Sequence, residues 1–362
     1  MTSGRMFAAA AVLAAVVGAG GALAADPGGG KLEPPQKGNA PERVAFFIYV
    51  LDIDEINAHE QNFAANVVLR LRWKDQRLAH PGPGPRIVPL EALWHPNVVL
   101  ANRQALVRTP FGEVLTVNPD GTVLYRQQYV GPLSQRLRLH DFPLDRQTFT
   151  VQFAITGMRA EDMELVPDPA LGGLIPGGPW AATAPSTQGT PENPVGGGMA
   201  KVLSLPDWEI VSYKTESRPY QVSEALAVPG FAFEFVARRH VAFFIWQGML
   251  PLALIVMMSW APFWIDPSKV ELQFGIAGST VLTLIAYRFT LARLLPALPY
   301  LTRMDLLTIG GTILVFLSFL EVTMTSVLVR GQRAGAARSL DKVCRFLFPA
   351  AFAGVIVWSM LL

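Results

Sequence analysis

Asp52 and Asp54, and Glu161 beside Asp162, are the carboxylate pairs whose spacing could support general acid–base chemistry. Spacings this short are also common in solvated loops and strand ends, and no partner motif accompanies them. The sequence contains no GxSxG, GxxxxGK[ST], HExxH or Rossmann glycine pattern. Nucleophilic hydrolysis, phosphate cradling, zinc proteolysis and dinucleotide chemistry therefore have no foothold. His59, His80, His95, His140 and His240 lie far apart with no HxxxH or HxxE spacing. Cys344 is the single cysteine, so no intrachain disulfide, thiolate zinc site or CxxC pair can form. The expectation is a protein that is not an enzyme and carries neither cofactor nor metal.

The chain that positions these residues has 362 residues and is 51% apolar and only 16% charged, where a soluble domain is roughly a quarter charged. That balance indicates a membrane protein. Thirty Lys plus Arg against 28 Asp plus Glu leave a net charge of +2, too small for a nucleic-acid footprint. Residues 1–25 read as a signal peptide: Arg5, an Ala/Val/Leu stretch too short to span a bilayer, then the cleavage pattern Ala22-Leu23-Ala24. Residues 26–41, rich in Gly and Pro, are expected to form a flexible tail.

Four apolar runs, 241–265, 272–292, 306–329 and 343–362, can each cross about 30 Å of hydrocarbon as a helix. Export of the N-terminal part places the 330–342 connection in the cytoplasm. Its basic residues Arg330, Arg333, Arg338 and Lys342 agree with the positive-inside bias. Residues 42–240 lack long helix-period segments and show short β-branched and aromatic runs bounded by turn residues, the pattern of an antiparallel β-sandwich. Strands are expected over 44–51, 66–73, 123–129, 148–154, 208–214 and 232–237, with a strong turn at Asn118-Pro119-Asp120-Gly121. The Gly/Pro-dense stretch 166–199 reads as a long surface loop.

Several motifs then fall into one order. Trp73-Lys74-Asp75 with Arg77-Leu78 is similar to a WxDxRL strand end, Trp94-His95-Pro96 with Asn102 to a WxPxxxxxN segment, and Phe142-Pro143-Leu144-Asp145-Arg146-Gln147 to an FPxDxQ loop core. In the apolar third, Leu250-Pro251, Ser259-Trp260 and Phe263-Trp264 resemble a first pore-domain helix. Leu295-Pro296 with Pro299-Tyr300 resembles the turn after a second, and Arg345-Phe346 through Phe348-Pro349 a fourth. Together they resemble the pentameric ligand-gated ion channels, the Cys-loop receptor superfamily, and in particular its prokaryotic branch. Gln135 and Phe149 stand where animal receptors have the two loop cysteines. The resemblance covers nearly the whole mature chain and implies a β-sandwich above a four-helix transmembrane bundle, assembled as a homopentamer.

Five amphipathic helices around an axis make a pore when their polar stripes converge. Spacing alone leaves two stripes on the second apolar run. One passes through Ser279, Thr283 and Thr290; the other through Glu271, Gly275, Ser279, Leu282, Ala286, Phe289 and Arg293. The resemblance selects the second as pore lining and leaves Thr280, Thr283, Tyr287 and Thr290 to bond between helices. A Leu282 ring, with Phe289 as a second candidate, would gate by dewetting. A Glu271 ring near the cytoplasmic mouth would favour cations, against Lys269 and Arg293. Glu321 in the third run reads as a helix–helix polar contact or a modulatory proton site.

By position in the family, Glu60, Asp145, Arg239 and Pro299 match the elements that couple the two domains, with Arg239 shared by two carboxylates. Tyr213 and Tyr220, with Tyr125 or Tyr129 across a subunit boundary, are the candidates for a ligand box over which an ammonium group could sit. Val98 to Leu100, Ala154 to Met158 and Val68 supply no aromatics where amine-gated relatives have them, and Leu284 stands where proton-gated relatives have a histidine.

The expected protein is thus a cation-selective channel in a bacterial inner membrane with its sandwich in the periplasm. Its partners would be four identical subunits, the lipid bilayer, Na+ and K+, and a small-molecule agonist or protons. The alternative is a membrane-anchored periplasmic sensor or binding protein without conduction, and a weaker one is a periplasmic hydrolase with a membrane tail.

Overall fold

A computed structural model describes residues 33–35, 40–174, 196–292 and 299–361. The signal peptide, most of the N-terminal tail, residues 175–195 of the Gly/Pro-rich stretch, Arg293 and Pro296 lie outside these. Among the described residues the N-terminal part forms two facing sheets. One has the order β3-β5-β6-β2-β1-β8, with β9 also on β1; the other has the order β10-β13-β7-β4. The main strands are β1 (Glu42–Asn57), β2 (Asn62–Lys74), β6 (Thr122–Ser134), β7 (Arg146–Thr156), β10 (Trp208–Ser217) and β13 (Gly230–Arg239). All six expected strands are present, each longer than its apolar run, because ladder hydrogen bonds carry a strand past its buried part. The short strands β3 (Arg86–Pro89), β4 (Asn97–Leu100), β5 (Val114–Val117), β8 (Met163–Pro167) and β9 (Gly197–Met199) were not among the expected ones. Nor was the small hairpin of β11 (Tyr220–Ser223) and β12 (Leu226–Val228).

The sandwich is not purely antiparallel. The chain crosses from β7 in one sheet to β8, and both β8 and β9 run parallel to β1 along its open edge. The described ends of this stretch, 166–174 and 196–199, are therefore partly strand and partly a 3-10 turn, Pro169–Leu174, where a surface loop is expected. The core between the sheets is aromatic: Phe46 stacks on Phe231 at 4.5 Å, Phe149 on Phe235 at 5.0 Å, and Phe153 on Phe231 at 5.1 Å. Each buried ring contributes about 1.5–3 kcal/mol.

The family-like motifs hold corners. Asp75 is buried and accepts from the Arg77 backbone N–H at 3.0 Å and from its guanidinium at 2.9 and 2.8 Å, closing the end of β2. Gly121 packs on this corner with φ +80°, and a Cβ there would meet the Asp75 carbonyl at 2.5 Å, so the NPDG turn needs glycine. Asn102 donates to the Ser134 and Thr150 carbonyls and accepts from the Gln152 N–H. Gln135 accepts from the Thr150 N–H at 3.2 Å, a hydrogen bond beside the position of the absent disulfide.

Among the described residues, four helices long and apolar enough to cross a membrane follow: α1 (Ala242–Trp264), α2 (Val270–Leu291), α3 (Arg303–Arg330) and α4 (Ala334–Leu361). Helix α1 is interrupted, with a π-helical turn over Ile245–Met249 and a 3-10 turn over Ala261–Trp264. Pro251 and Pro262 lack the N–H that a regular ladder requires there. Helix α3 begins three residues before its apolar run. Thr302 accepts from the Asp305 N–H, and Asp305 accepts from the Thr302 N–H and hydroxyl, forming a capping box. Helix α4 begins nine residues early, so most of the basic 330–342 connection is helical; Ala and Leu there are strong helix formers and its Arg and Lys are tolerated. Gly310 lets α3 and α4 approach, since a Cβ would lie 2.4 Å from the Val355 side chain.

Candidate pore helix, junction and ligand-facing residues

Helix α2 has two unlike faces. Gln273, Ala277, Thr280, Leu284 and Leu291 are buried. Gln273 donates to the Pro262 and Ile265 carbonyls at the end of α1, and Tyr287 donates to the Gly248 carbonyl at 2.7 Å, within the π turn. The other face carries Glu271, Gly275, Ser279, Leu282, Ala286 and Phe289, all exposed in the single chain, with Leu282 69% and Phe289 72% exposed. Arg293 lies beyond the described part of the helix.

Thr283 and Thr290, from the competing stripe, are exposed too. Their hydroxyls, like that of Thr280, donate to carbonyls of their own helix: Ser279, Ala286 and Ile276. Of the four residues expected to bond between helices, only Tyr287 does so among the described residues. Glu321 on α3 faces Asp341 on α4, and both are buried.

The junction is built on the loop before β7. Asp145 is 1% exposed and Arg239 9%; the Arg239 Nε and one terminal nitrogen donate to the two carboxylate oxygens at 2.9 and 3.4 Å. Gln147 donates to the same carboxylate at 2.8 Å. Around the guanidinium stand Trp208 at 4.1 Å, Phe142 at 4.9 Å and Phe244 of α1 at 5.8 Å from the ring centres. Glu60 is not part of this cluster. It accepts from the Asn62 amide at 3.1 Å in the β1–β2 turn, so among the described residues Arg239 has one carboxylate partner rather than two.

Pro299 is exposed and delivers Tyr300 to the same loop. Tyr300 stacks on His140 with ring centres 4.0 Å apart and accepts from the Leu139 N–H at 3.1 Å. Arg303 binds Asp141 at 2.7 and 2.9 Å, and its NH1 group donates to the Met360 carbonyl at the far end of α4. Leu291 and Met304 belong to the same hydrophobic cluster as the sandwich core. His140, Asp141, Trp208, Tyr300 and Arg303 were not among the expected site residues. The adjacency of Pro299-Tyr300 to a helix start was the one signal that pointed toward them.

Residues 30–172 match the family model of the neurotransmitter-gated ion-channel ligand binding domain. That stretch of the chain is similar to the ligand-binding domain of those channels. The match ends inside the Pro169–Leu174 turn, and four helices long and apolar enough to cross a membrane follow it among the described residues.

Within the single chain the four tyrosine candidates do not converge. Tyr125 and Tyr129 are buried in the sandwich beside one another, and burial raises the pKa of both phenols above its ordinary value. Tyr129 meets Phe153 edge-on. Tyr213 stacks on Phe233 at 5.4 Å and lines a cavity of about 400 Å³ with Lys201, Leu203 and Trp208. Tyr220 lies on the separate β11–β12 hairpin.

Proposed function

We propose that this chain is one of five identical subunits of a cation-selective, ligand-gated channel in a bacterial inner membrane, its ligand-binding domain facing the periplasm. The observation that carries the reading is the exposed face of α2. Six residues from Glu271 to Phe289 recur at steps of three and four along one side, while the opposite side is packed into the bundle. A helix with one buried face and one such stripe is completed by like neighbours around a watery axis. Leu282 then forms the gate, with Phe289 above it, and Glu271 selects for cations such as Na+ and K+ at the cytoplasmic mouth.

Opening is driven from the junction. The Arg239–Asp145 pair, Pro299 and the Tyr300–His140 stack connect the ligand-binding domain to α1 and α3, so a stimulus that repacks this loop moves the ends of the helices. Taking a 1:99 equilibrium to 99:1 needs about 5.5 kcal/mol. Five equivalent sites would supply this at about a fifth each, so a small agonist or the titration of a few acids is sufficient.

The test is recording from purified protein in planar bilayers across pH, amines, amino acids and divalent ions. In asymmetric salt the reversal potential should report cation preference and lose it in Glu271→Gln. An unchanged reversal potential would remove Glu271 as the filter. Bilayers silent under every condition would instead favour the membrane-anchored sensor.

A further inference from the structure

Among the described residues of the four helices only two carboxyl groups are buried, Glu321 of α3 at 7% exposure and Asp341 of α4 at 1%, and they face one another. All four of their oxygens are closed off from solvent, and neither carboxyl group is hydrogen-bonded to a third residue among those described. An acid at such a depth is costly unless it is paired or does something. Two carboxylates side by side repel, so both cannot stay charged there without a large penalty.

No cation is set against the pair. Arg345, one turn beyond Asp341, is spent elsewhere: its Nε donates to the Phe263 carbonyl at 2.8 Å, and its guanidinium lies 4.9 Å from the centre of the Trp264 ring. Arg338 and Lys342 of α4 are exposed, and Arg330 lies nine residues past Glu321 at the end of α3. The other ionisable groups near the pair, Cys344 of α4 and Asp266 in the connection from α1 to α2, bring no positive charge. Helix α1 has no ionisable side chain; in α2, Glu271 and Arg288 are exposed and Tyr287 is bonded to Gly248.

A proton is the remaining way to balance two such groups. We propose that Glu321 and Asp341 are a proton-binding site: one proton shared between them makes an O–H···O bond that clasps α3 to α4, and its loss leaves two carboxylates that push the first turns of α4 away. The proton has a route, because Asp341 also borders a cavity of about 270 Å³ that reaches the exposed Asp266 and Lys342. The clasp also has leverage. Gly310 sets the close approach of α3 to Val355 of α4, and Glu321 lies eleven residues further along α3, about 16 Å at 1.5 Å per residue. The acid pair is thus a second, titratable point of attachment for α4, and it does not depend on conduction.

Infrared titration of the intact protein in lipid nanodiscs tests the site. The carbonyl stretch of a protonated carboxylic acid should be present at about pH 7, where ordinary carboxyl groups are fully ionised, and vanish as the medium is made alkaline. The variant Glu321→Gln/Asp341→Asn, uncharged at every pH, should lack it throughout. The single cysteine, Cys344, three residues from Asp341 and buried, reports the clasp through its alkylation by N-ethylmaleimide. At about pH 7 the wild type and the double variant should react at equal rates; at about pH 10 the wild type should react at least about fivefold faster, although new negative charge beside the thiol by itself disfavours the reactive thiolate. If the double variant does not fold, the wild-type infrared titration still decides. The absence of the acid band at neutral pH overturns the proposal, as does a band that survives in the double variant. Carboxylate bands that instead shift with added Na+ would make this a cation site and overturn it too, and equal alkylation rates at alkaline pH would remove the clasp.

Discussion

The guanidinium of Arg239 binds both carboxylate oxygens of Asp145 and lies 4.1 Å from the centre of the Trp208 ring. A charge pair nearly free of solvent therefore stands at the seam between the sandwich and the first helix. Buried pairs of this kind are costly to form and more costly to break, because the surviving partner keeps its desolvation penalty. Function explains the placement better than stability does: a pair held from one side by Gln147 and from the other by Phe244 of α1 is sensitive to the position of both domains.

Arg239→Gln should destabilise the subunit by about 3–5 kcal/mol, the usual cost of orphaning one member of a buried pair. Arg239→Lys keeps the charge but loses the two-point grip and the flat face toward Trp208, and should fall between that variant and the wild type. Thermal unfolding followed by tryptophan fluorescence reads both. A melting temperature for Arg239→Gln equal to wild type would contradict the burial argument.

Tyr300→Phe removes one acceptor while leaving the stack on His140. The Leu139 N–H, inside a fully buried residue, would lose its partner at a cost of about 1–3 kcal/mol. Hydrogen–deuterium exchange should accelerate in the 137–142 segment and remain unchanged in β2 and β6. Equal exchange everywhere would show that the hydroxyl does not hold the loop.

Leu282→Ser replaces the apolar ring proposed as the gate with a wettable one. A bias of about 1.4 kcal/mol toward the open state raises the open-to-closed ratio about tenfold, so ion leak from loaded liposomes without any stimulus should rise by at least that factor. Leu284→Ser, on the buried face of the same helix, should damage folding instead. If Leu282→Ser liposomes leak no faster than wild type, Leu282 is not the gate.

Asp52 provides a pH-dependent tether. Burial alone would raise its pKa, but the Ser204 N–H and hydroxyl, each at 2.7 Å, with the Ile53 N–H, hold it below its ordinary value of 3.8. A depressed carboxylate contributes stability that is complete above its unfolded value and is lost as pH falls through the lower folded one. Asp54 beside it behaves oppositely: burial, then the charge of Asp52, raise it, so it takes up its proton first. Limited proteolysis of the 200–205 segment should therefore stay slow to about pH 4 and quicken below it. Asp52→Asn should be cut at one rate throughout; a wild-type profile in that variant would place the sensitivity elsewhere.

Gly121→Ala should cost about 1–3 kcal/mol through its left-handed backbone alone, with more from the new Cβ pressed on the Asp75 carbonyl. Chemical denaturation of the intact protein measures it. A loss below half a kcal/mol would mean that the corner relaxes freely.

What could be read beforehand follows from how local each signal is. Strands such as β2 and β13, and the four apolar helices, announce themselves through alternation and run length, and NPDG through turn chemistry. The parallel strands β8 and β9 carry no such mark. They are short and Gly- or Pro-containing, and exist because β1 offers them an unpaired edge. The early start of α4 was hidden because run length measures lipid contact, not helicity. At the junction, Asp145 and Arg239 were legible through a motif and a position, whereas Asp141 and Arg303 meet 162 residues apart with no pattern to link them. Glu60 shows the reverse case: its position suggested Arg239, but within the chain its carboxylate accepts from Asn62 instead. Tyr125 and Tyr129 were candidates for a ligand box across a subunit boundary, yet in β6 both are buried in the sandwich.

Arg303 spends its guanidinium in two directions, on Asp141 of the sandwich loop and on the Met360 carbonyl in the last turn of α4. The peripheral rod of the bundle is thereby one side chain away from the loop that bears the cis Phe142-Pro143 bond. A thicker or thinner bilayer that drags the tip of that rod sideways would tug on the loop through this fork. Cargo fused next to Met360 would load it in the same manner.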